Sequence, residues 1–371
     1  MTLQSGTYRP PKIGAAQIKL LERLCNACAV SGDESEVRAI VLEQVRPLAD
    51  EVKVDALGSV LAVRRGKSDP GPGGARLKVM LDAHMDEIGF MLTQDDGEGL
   101  FRFEMVGGID ERQLVGKPVW VGREHIPGVI GAKPIHLTTA DERRRNITLD
   151  ALRIDIGPEK SSKVKVGDRA TFATSFTRLG PSLRAKALDD RLGVVTLIEL
   201  LRSAPENIDL LAAFSVQEEI GLRGARVAAQ AFQPDLAIAV DSTPALDLPF
   251  WDDRDGEPAE NYQYNTRLDG GPAIYLADRA TLSDPRLIRH LIDTAEALQL
   301  PYQLRQPGGG GTDAGAIHLA GGGIPSVSVS VPGRYAHTAA GLARLSDWQA
   351  TLALLHAALE RLEPALLSNP R

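Results

Sequence analysis

Between residues 15 and 28 the apolar positions Ile18, Leu20, Leu21, Leu24 and Cys25 recur at helical spacing and predict an opening helix. A second helix is expected in ESEVRAIVLEQVRPL, because Asp33 and Glu36 have the spacing of a capping box just after Gly32. The period then shortens to that of strands. EVKVDALGSVLAVRR alternates on either side of a glycine, which predicts a hairpin, and LKVMLDAH follows the polar turn KSDPGPGGAR as a buried strand. From 90 to 176 the runs FMLTQ, LFRFEMVGG, PVWVG, GVIGA, LRIDIG and DRATFA are short, β-like and separated by Gly, Pro and charged turns. That spacing predicts a small β-barrel or sandwich without a long helix. Beyond it, RLGVVTLIELLRS, LLAAFSV, RVAAQAFQ and LAIAV alternate helix and strand. The expected architecture is α/β: a mostly parallel central sheet flanked by helices, built from residues 1–88 and 177–371, with an inserted β-domain at 89–176.

Several strands end in residues that a core rejects. LDAHMDEIGF closes a buried strand with His84, Asp86 and Glu87, and an unpaired buried polar group costs roughly 2–7 kcal/mol. Glu218 and Glu219 follow LLAAFSVQ, Asp241 follows LAIAV, and His337 follows PSVSVSV through PGRYA. Asp189 and Asp190 stand before the helix RLGVVTLIELL, where Asp190 also reads as a helix cap. Ligands of open α/β sheets bind beyond the carboxyl ends of the strands, so these residues meet at one rim. Converging carboxylates repel one another unless counter-charge is present, and only Lys186 and Arg191 are at hand in these stretches. A cation is the economical answer.

Two imidazoles with several carboxylates suit zinc, cobalt or manganese better than calcium or magnesium. The inventory suffices for two divalent ions bridged by one carboxylate, an arrangement that supports hydrolysis. The strand period lets Asp86 share a side with His84 and orient its ring. If the chain is extended at Glu218 and Glu219, one binds metal while the other stands off as general base; the spacing does not say which.

A net charge of −7 without a basic cluster beyond Arg143, Arg144 and Arg145 argues against nucleic acid and anionic lipid as partners. No apolar run approaches the ~20 residues of a membrane span, and the N-terminus has no signal-peptide core, so a cytoplasmic address is expected. Cys25 and Cys28 read as reduced, half-buried thiols. His125, His136, His290, His318 and His356 take structural readings. The loop QPGGGGTDAGAI lacks a P-loop lysine and reads as a close backbone approach to the site, with Thr312 or Asp313 capping the helix that carries His318.

DAHMDEIGF, KALDDRLG, QEEIGLRGA, AVDSTPA, GGGTDAGAI and YAHT occur in the order seen in the dinuclear metallo-aminopeptidases that include glutamyl aminopeptidase and the tetrahedral aminopeptidases. The chain resembles that family over nearly its whole length, and some members have carried endoglucanase or cellulase labels. The resemblance implies a zinc-exopeptidase-like fold and one metal held by His84, Asp189 and Asp241, the other by Asp189, Glu219 and His337. It makes Asp189 the bridging carboxylate, Glu218 the general base acting on a metal-bridging water, and Asp86 the partner of His84. It also implies peptide substrates with a free N-terminus and a homo-oligomer, dodecameric in many members, assembled through the β-domain. In one departure, Gly341 stands where the family often has glutamate, which bears on the His337 loop or on substrate preference rather than on the ligands.

Two other functions compete. A metal-free glycoside hydrolase would use paired acids roughly 5–9.5 Å apart, but three tryptophans are few for a sugar cleft. A non-catalytic oligomeric relative would be expected to lack a ligand or the base. The acidic stretch DLPFWDDRDGEPAENYQYNTRL is expected to border the substrate pocket and favour a basic first residue.

Overall fold

A computed structural model describes residues 8–69, 75–248 and 266–371. Four strands, Ile208–Ser215, Leu77–His84, Leu236–Pro244 and Ser326–Arg334, lie side by side and parallel at the centre of an 11-stranded sheet. Helices cover both faces, so these strands are buried along almost their whole length and read as apolar runs instead of alternations. Ser326–Arg334 solves the same problem with small polar residues. Its valines 327, 329 and 331 enter the main core, while Ser328 shares a 2.6 Å hydrogen bond with Thr312. The parallel pairing expected from sequence is thus concentrated in these strands, and the flanks are antiparallel apart from the short parallel pair Ala273–Tyr275 and Gln303–Arg305. The predicted hairpin, Glu51–Val54 with Val60–Arg64, closes one flank; Gly341–Arg344, Ser182–Ala185 and Thr177–Leu179 extend the other.

The main core lies between the sheet and the helices Ala15–Asn26, Ser35–Val45, Leu188–Arg202, Pro285–Leu298 and Leu345–Glu360. Trp348 is fully buried there and donates to the Thr196 hydroxyl at 2.9 Å. Arg223–Phe232 and Ala314–Ile317 cover the opposite face over a smaller core around Met80, Leu211 and Ala228. The expected capping box fails: the second helix starts at Ser35, and Glu36 instead accepts from the Cys28 amide at 3.0 Å and meets His125 Nε2 at 2.6 Å. A tertiary contact has taken the side chain that local spacing assigned to the cap.

The inserted region forms a closed six-stranded barrel in the order Gly89–Gly97, Leu100–Val106, Arg153–Asp155, Ile126–Gly131, Pro118–Val121, Arg169–Phe172. It has its own core, in which Phe90 stacks edge-on against Phe103 and Phe172 at 5.1 and 5.2 Å. Between 89 and 176 the helical elements are short 3-10 turns alone.

Candidate active site

The parallel strands carry their terminal residues to one rim. His84 is the last residue of its strand, Asp241 lies within Leu236–Pro244, and His337 follows Ser326–Arg334 by a short loop. Asp189 comes from the irregular first turn of Leu188–Arg202, where the Asp189–Asp190 peptide is cis. His84 Nε2 is 3.3 Å from Asp189 Oδ1 and 3.7 Å from Asp241 Oδ1. His337 Nε2 is 3.6 Å from the other Asp189 oxygen and 3.4 Å from Glu219 Oε2. Two triads therefore share Asp189: His84, Asp189 and Asp241, and Asp189, Glu219 and His337, each with its donor atoms within 4.8 Å of one another.

Both imidazoles are fixed from behind. His84 Nδ1 lies 3.1 Å from the Asp86 carbonyl, and His337 Nδ1 lies 2.8 Å from the carbonyl of Gly108 in the barrel. If these nitrogens carry the protons, each Nε2 directs a lone pair at carboxylates. Only a proton or a cation between them makes that arrangement favourable. The titration behaviour says the same. Burial works against charge on His84, yet Asp189, Asp241 and Asp86 hold its pKa well above the usual imidazole value. Burial, with neighbouring Asp189, pushes Asp241 up to about 7, and burial with Asp189 and Asp86 pushes Glu219 up to about 8 despite His337 and His84. Five donors, two of them imidazole, and excess buried negative charge fit a pair of borderline divalent ions.

Asp86 does more than its spacing suggested. Its carboxylate accepts from the amides of Glu218 at 3.0 Å and Glu219 at 3.2 Å and from the Ser31 hydroxyl at 2.6 Å, while lying 3.6 Å from His84 Nδ1. It anchors the turn that presents both glutamates. That turn also replaces the alternation argument: the strand stops at Ser215 and Gln217 is left-handed at φ 59°, so the chain is not extended there, and both glutamates line the cavity while only Glu219 joins a triad. Glu218 stays outside both triads and lines a cavity of about 810 Å³ with His84, Asp189, Glu219, Asp241 and His337.

Other expectations sort cleanly. Asp190 does cap, accepting from Gly193 N at 3.0 Å. Neither Thr312 nor Asp313 caps the helix Ala314–Ile317: Thr312 turns to Ser328, and Asp313 accepts from Ser215 Oγ at 2.8 Å. His290, His318 and His356 contact backbone carbonyls. Most of the acidic stretch expected to border the pocket, 249–265, lies outside the described residues.

Three features escaped the sequence reading. Glu87 forms a buried cluster with Lys186 Nζ at 2.8 Å, Arg191 at 3.4 Å, the Thr171 hydroxyl and the Ala29 amide. The two cations closest in sequence to Asp189 are therefore committed to Glu87. Gly107 and Gly108 pass close to the site: a Cβ on Gly107 would strike Ile88 at 2.7 Å and touch Glu219 at 3.4 Å, and one on Gly108 would meet His337 at 3.3 Å; the glycine doublet ending LFRFEMVGG was the available signal. Finally, Arg279, Arg305 and Tyr275 line the cavity, with the Arg305 guanidinium 4.3 Å above the Tyr275 ring.

Acids and imidazoles gathered at the carboxyl ends of a parallel sheet, beside an inserted barrel, define the class to which aminopeptidases of known structure belong. The fold superposes on aminopeptidase APDkam598 of the archaeon Desulfurococcus kamchatkensis with a TM-score of 0.86 and 33% identity, covering 95% of this chain and 96% of that one. It matches the TET1 peptidase of Pyrococcus horikoshii, described as assembling into a tetrahedron or a large octahedral shell, at a TM-score of 0.79 and 31% identity over 93% and 100% of the two chains. A putative aminopeptidase of Acetivibrio thermocellus is 36% identical over 341 residues, 91% of this chain and 96% of the relative. The M42 glutamyl aminopeptidase family model matches residues 58–354, and the chain belongs to that family.

Proposed function

We propose that this chain is a dinuclear metal-dependent aminopeptidase that removes the N-terminal residue of peptides. The observation that carries the reading is the pair of triads sharing Asp189, with Glu218 alone beside them in the same cavity. His84, Asp189 and Asp241 would hold one ion, and Asp189, Glu219 and His337 the other; zinc or cobalt suits this donor set best, with manganese also compatible. Two such ions, when bound, lower the pKa of water toward neutrality and polarise the scissile carbonyl.

The protein's own groups do the rest. Glu218 takes a proton from the attacking water and returns it to the leaving amine. Burial raises its carboxyl well above the usual range, with His84 opposing. Asp86 keeps Glu218 and Glu219 in place through their amides. The acids of the rim receive the substrate's free α-amine, which accounts for exopeptidase action. Arg305 is buried on the cavity wall without a carboxylate partner among the described residues, which favours acidic first residues over the basic ones expected from the 247–268 stretch.

The same reading gives residues 1–88 and 177–371 the chemistry and 89–176 the assembly of a homo-oligomer, with a tetrahedral dodecamer as its form. A cytoplasmic setting suits the two free cysteines. The test is Glu218→Gln with metal content measured. Loss of roughly 10²–10⁴-fold in kcat with both ions retained is expected for removal of a general base. Near-native turnover with both ions bound rejects the assignment. A panel of aminoacyl chromogenic substrates with zinc, cobalt and manganese reads out first-residue preference and metal.

A further inference from the structure

A second group of metal-type donors lies away from the rim, where the barrel meets the catalytic domain. Cys28 follows the helix Ala15–Asn26, Glu36 lies in the first turn of Ser35–Val45, and His125 sits in the turn between the barrel strands Pro118–Val121 and Ile126–Gly131. Cys28 Sγ, a Glu36 oxygen and a His125 ring nitrogen lie within 4.8 Å of one another. We propose that Cys28, Glu36 and His125 form a third metal site, for zinc or an ion of similar softness, that pins the barrel to the catalytic domain.

Five observations support it. The donor set is thiol, imidazole and carboxylate, a combination suited to zinc with water in a fourth position. Glu36 is already oriented: one oxygen accepts from the Cys28 amide at 3.0 Å while the other meets His125 Nε2 at 2.6 Å. His125 is held at φ +51°, an uncommon left-handed conformation for a residue other than glycine, in the turn that points its ring at Glu36. A cavity of about 20 Å³, room for about one water-sized occupant, is lined by Cys28 and Glu36, with His125 just outside its lining and reached through Glu36. Side chains of Glu36 and His125 are 34% and 37% exposed, which leaves an ion a path from solvent.

The surrounding charge permits a cation. Arg123 and Arg169 line the cavity, but Arg123 faces Asp33 at 3.4 Å, and Arg169 donates to the carbonyls of Ser31 and Gly167. On binding, the Cys28 thiol releases its proton to solvent. His125 coordinates through an unprotonated ring nitrogen, so uptake of the ion is accompanied by proton release. The ion is then tied to two elements of the catalytic domain and one turn of the barrel.

Cobalt distinguishes this site from the rim, because none of the five rim donors is sulfur and, of the two cysteines, Cys28 alone belongs to a donor cluster that would give a thiolate-to-cobalt charge-transfer band. The full-length protein, stripped with chelator, is titrated with Co²⁺. The band is expected in the wild type, in Cys25→Ala and in Asp189→Ala, which dismantles the catalytic pair but not this site. It should vanish in Cys28→Ser, and the apparent Co²⁺ affinity read from it should fall at least tenfold in His125→Gln. Zinc added to the wild type should displace it. Absence of the band at saturating Co²⁺, its survival in Cys28→Ser, or an unchanged titration in His125→Gln overturns the proposal. Because Asp189→Ala is one of the arms, failure of the aminopeptidase reading leaves this outcome legible.

Discussion

Two clusters of buried charge lie within a few residues of each other and are built on opposite terms. Around Glu87, one carboxylate meets two cations, a hydroxyl and an amide, so its charge is balanced by protein alone. At the rim, Asp189, Glu219 and Asp241 pair with two imidazoles and, among the described residues, with no Lys or Arg, although Lys186 and Arg191 are close in sequence to Asp189 and Arg279 and Arg305 line the same cavity. The fold thus directs Lys186 and Arg191 to Glu87 instead of to the rim. The lesson is that a buried acid signals a binding site when its counter-charge is missing, and the contrast between Glu87 and Asp241 isolates that difference.

The largest effect should come from the shared ligand. Asp189→Ala removes a donor from both triads, and kcat/KM is expected to fall by roughly 10⁴-fold, since the charge stabilisation at stake is several kcal/mol and each ~1.4 kcal/mol is a factor of ten. Steady-state kinetics with metal analysis checks this, and a variant that keeps both ions and its activity would break the comparison at its strong end. Glu87→Ala should act on the fold, leaving Lys186 and Arg191 buried without their partner at a cost of about 3–5 kcal/mol. Denaturant unfolding reads it; a loss under 1 kcal/mol would mean that backbone carbonyls alone satisfy the two cations.

Asp241→Asn should do the reverse in chelated protein, raising stability by about 1–3 kcal/mol at pH 8 while abolishing activity, because it removes a carboxylate whose burial is uncompensated without an ion. The smallest expected signal is in pH. Asp241 and Glu219 titrate higher in the folded chain than when unfolded, so their contribution to stability is complete below about pH 4. It fades as pH rises through about 7 for Asp241 and about 8 for Glu219. Chelated protein should therefore lose on the order of 1 kcal/mol of stability between pH 6 and pH 8, and zinc should flatten the slope. A chelated slope of the opposite sign would show that the rim carboxylates are balanced after all.

The rim was readable in advance because hydrophobic runs locate strand ends, and strand ends of a parallel sheet share a side. His84, Asp241 and the two glutamates needed nothing else to be placed together. Their partners on the far side of each contact were not readable. Glu87 is satisfied by residues 99 and 104 positions ahead, and His337 leans on a carbonyl 229 positions behind it. Local rules also lost where a long-range partner competed. Glu36 left its cap position for Cys28 and His125, and Asp313 turned from the helix end to Ser215. Sequence spacing prices only the local half of such a choice.

The glycine pair at 107 and 108 has a consequence for anyone who treats the barrel as a removable module. Grafting a barrel from another protein onto this sheet would have to reproduce, besides a compatible seam, the position of one peptide oxygen and the bareness of two α-carbons. A chimera that folds and assembles could still be inactive for want of that single atom, and restoring the two glycines in their native turn is the first repair to try.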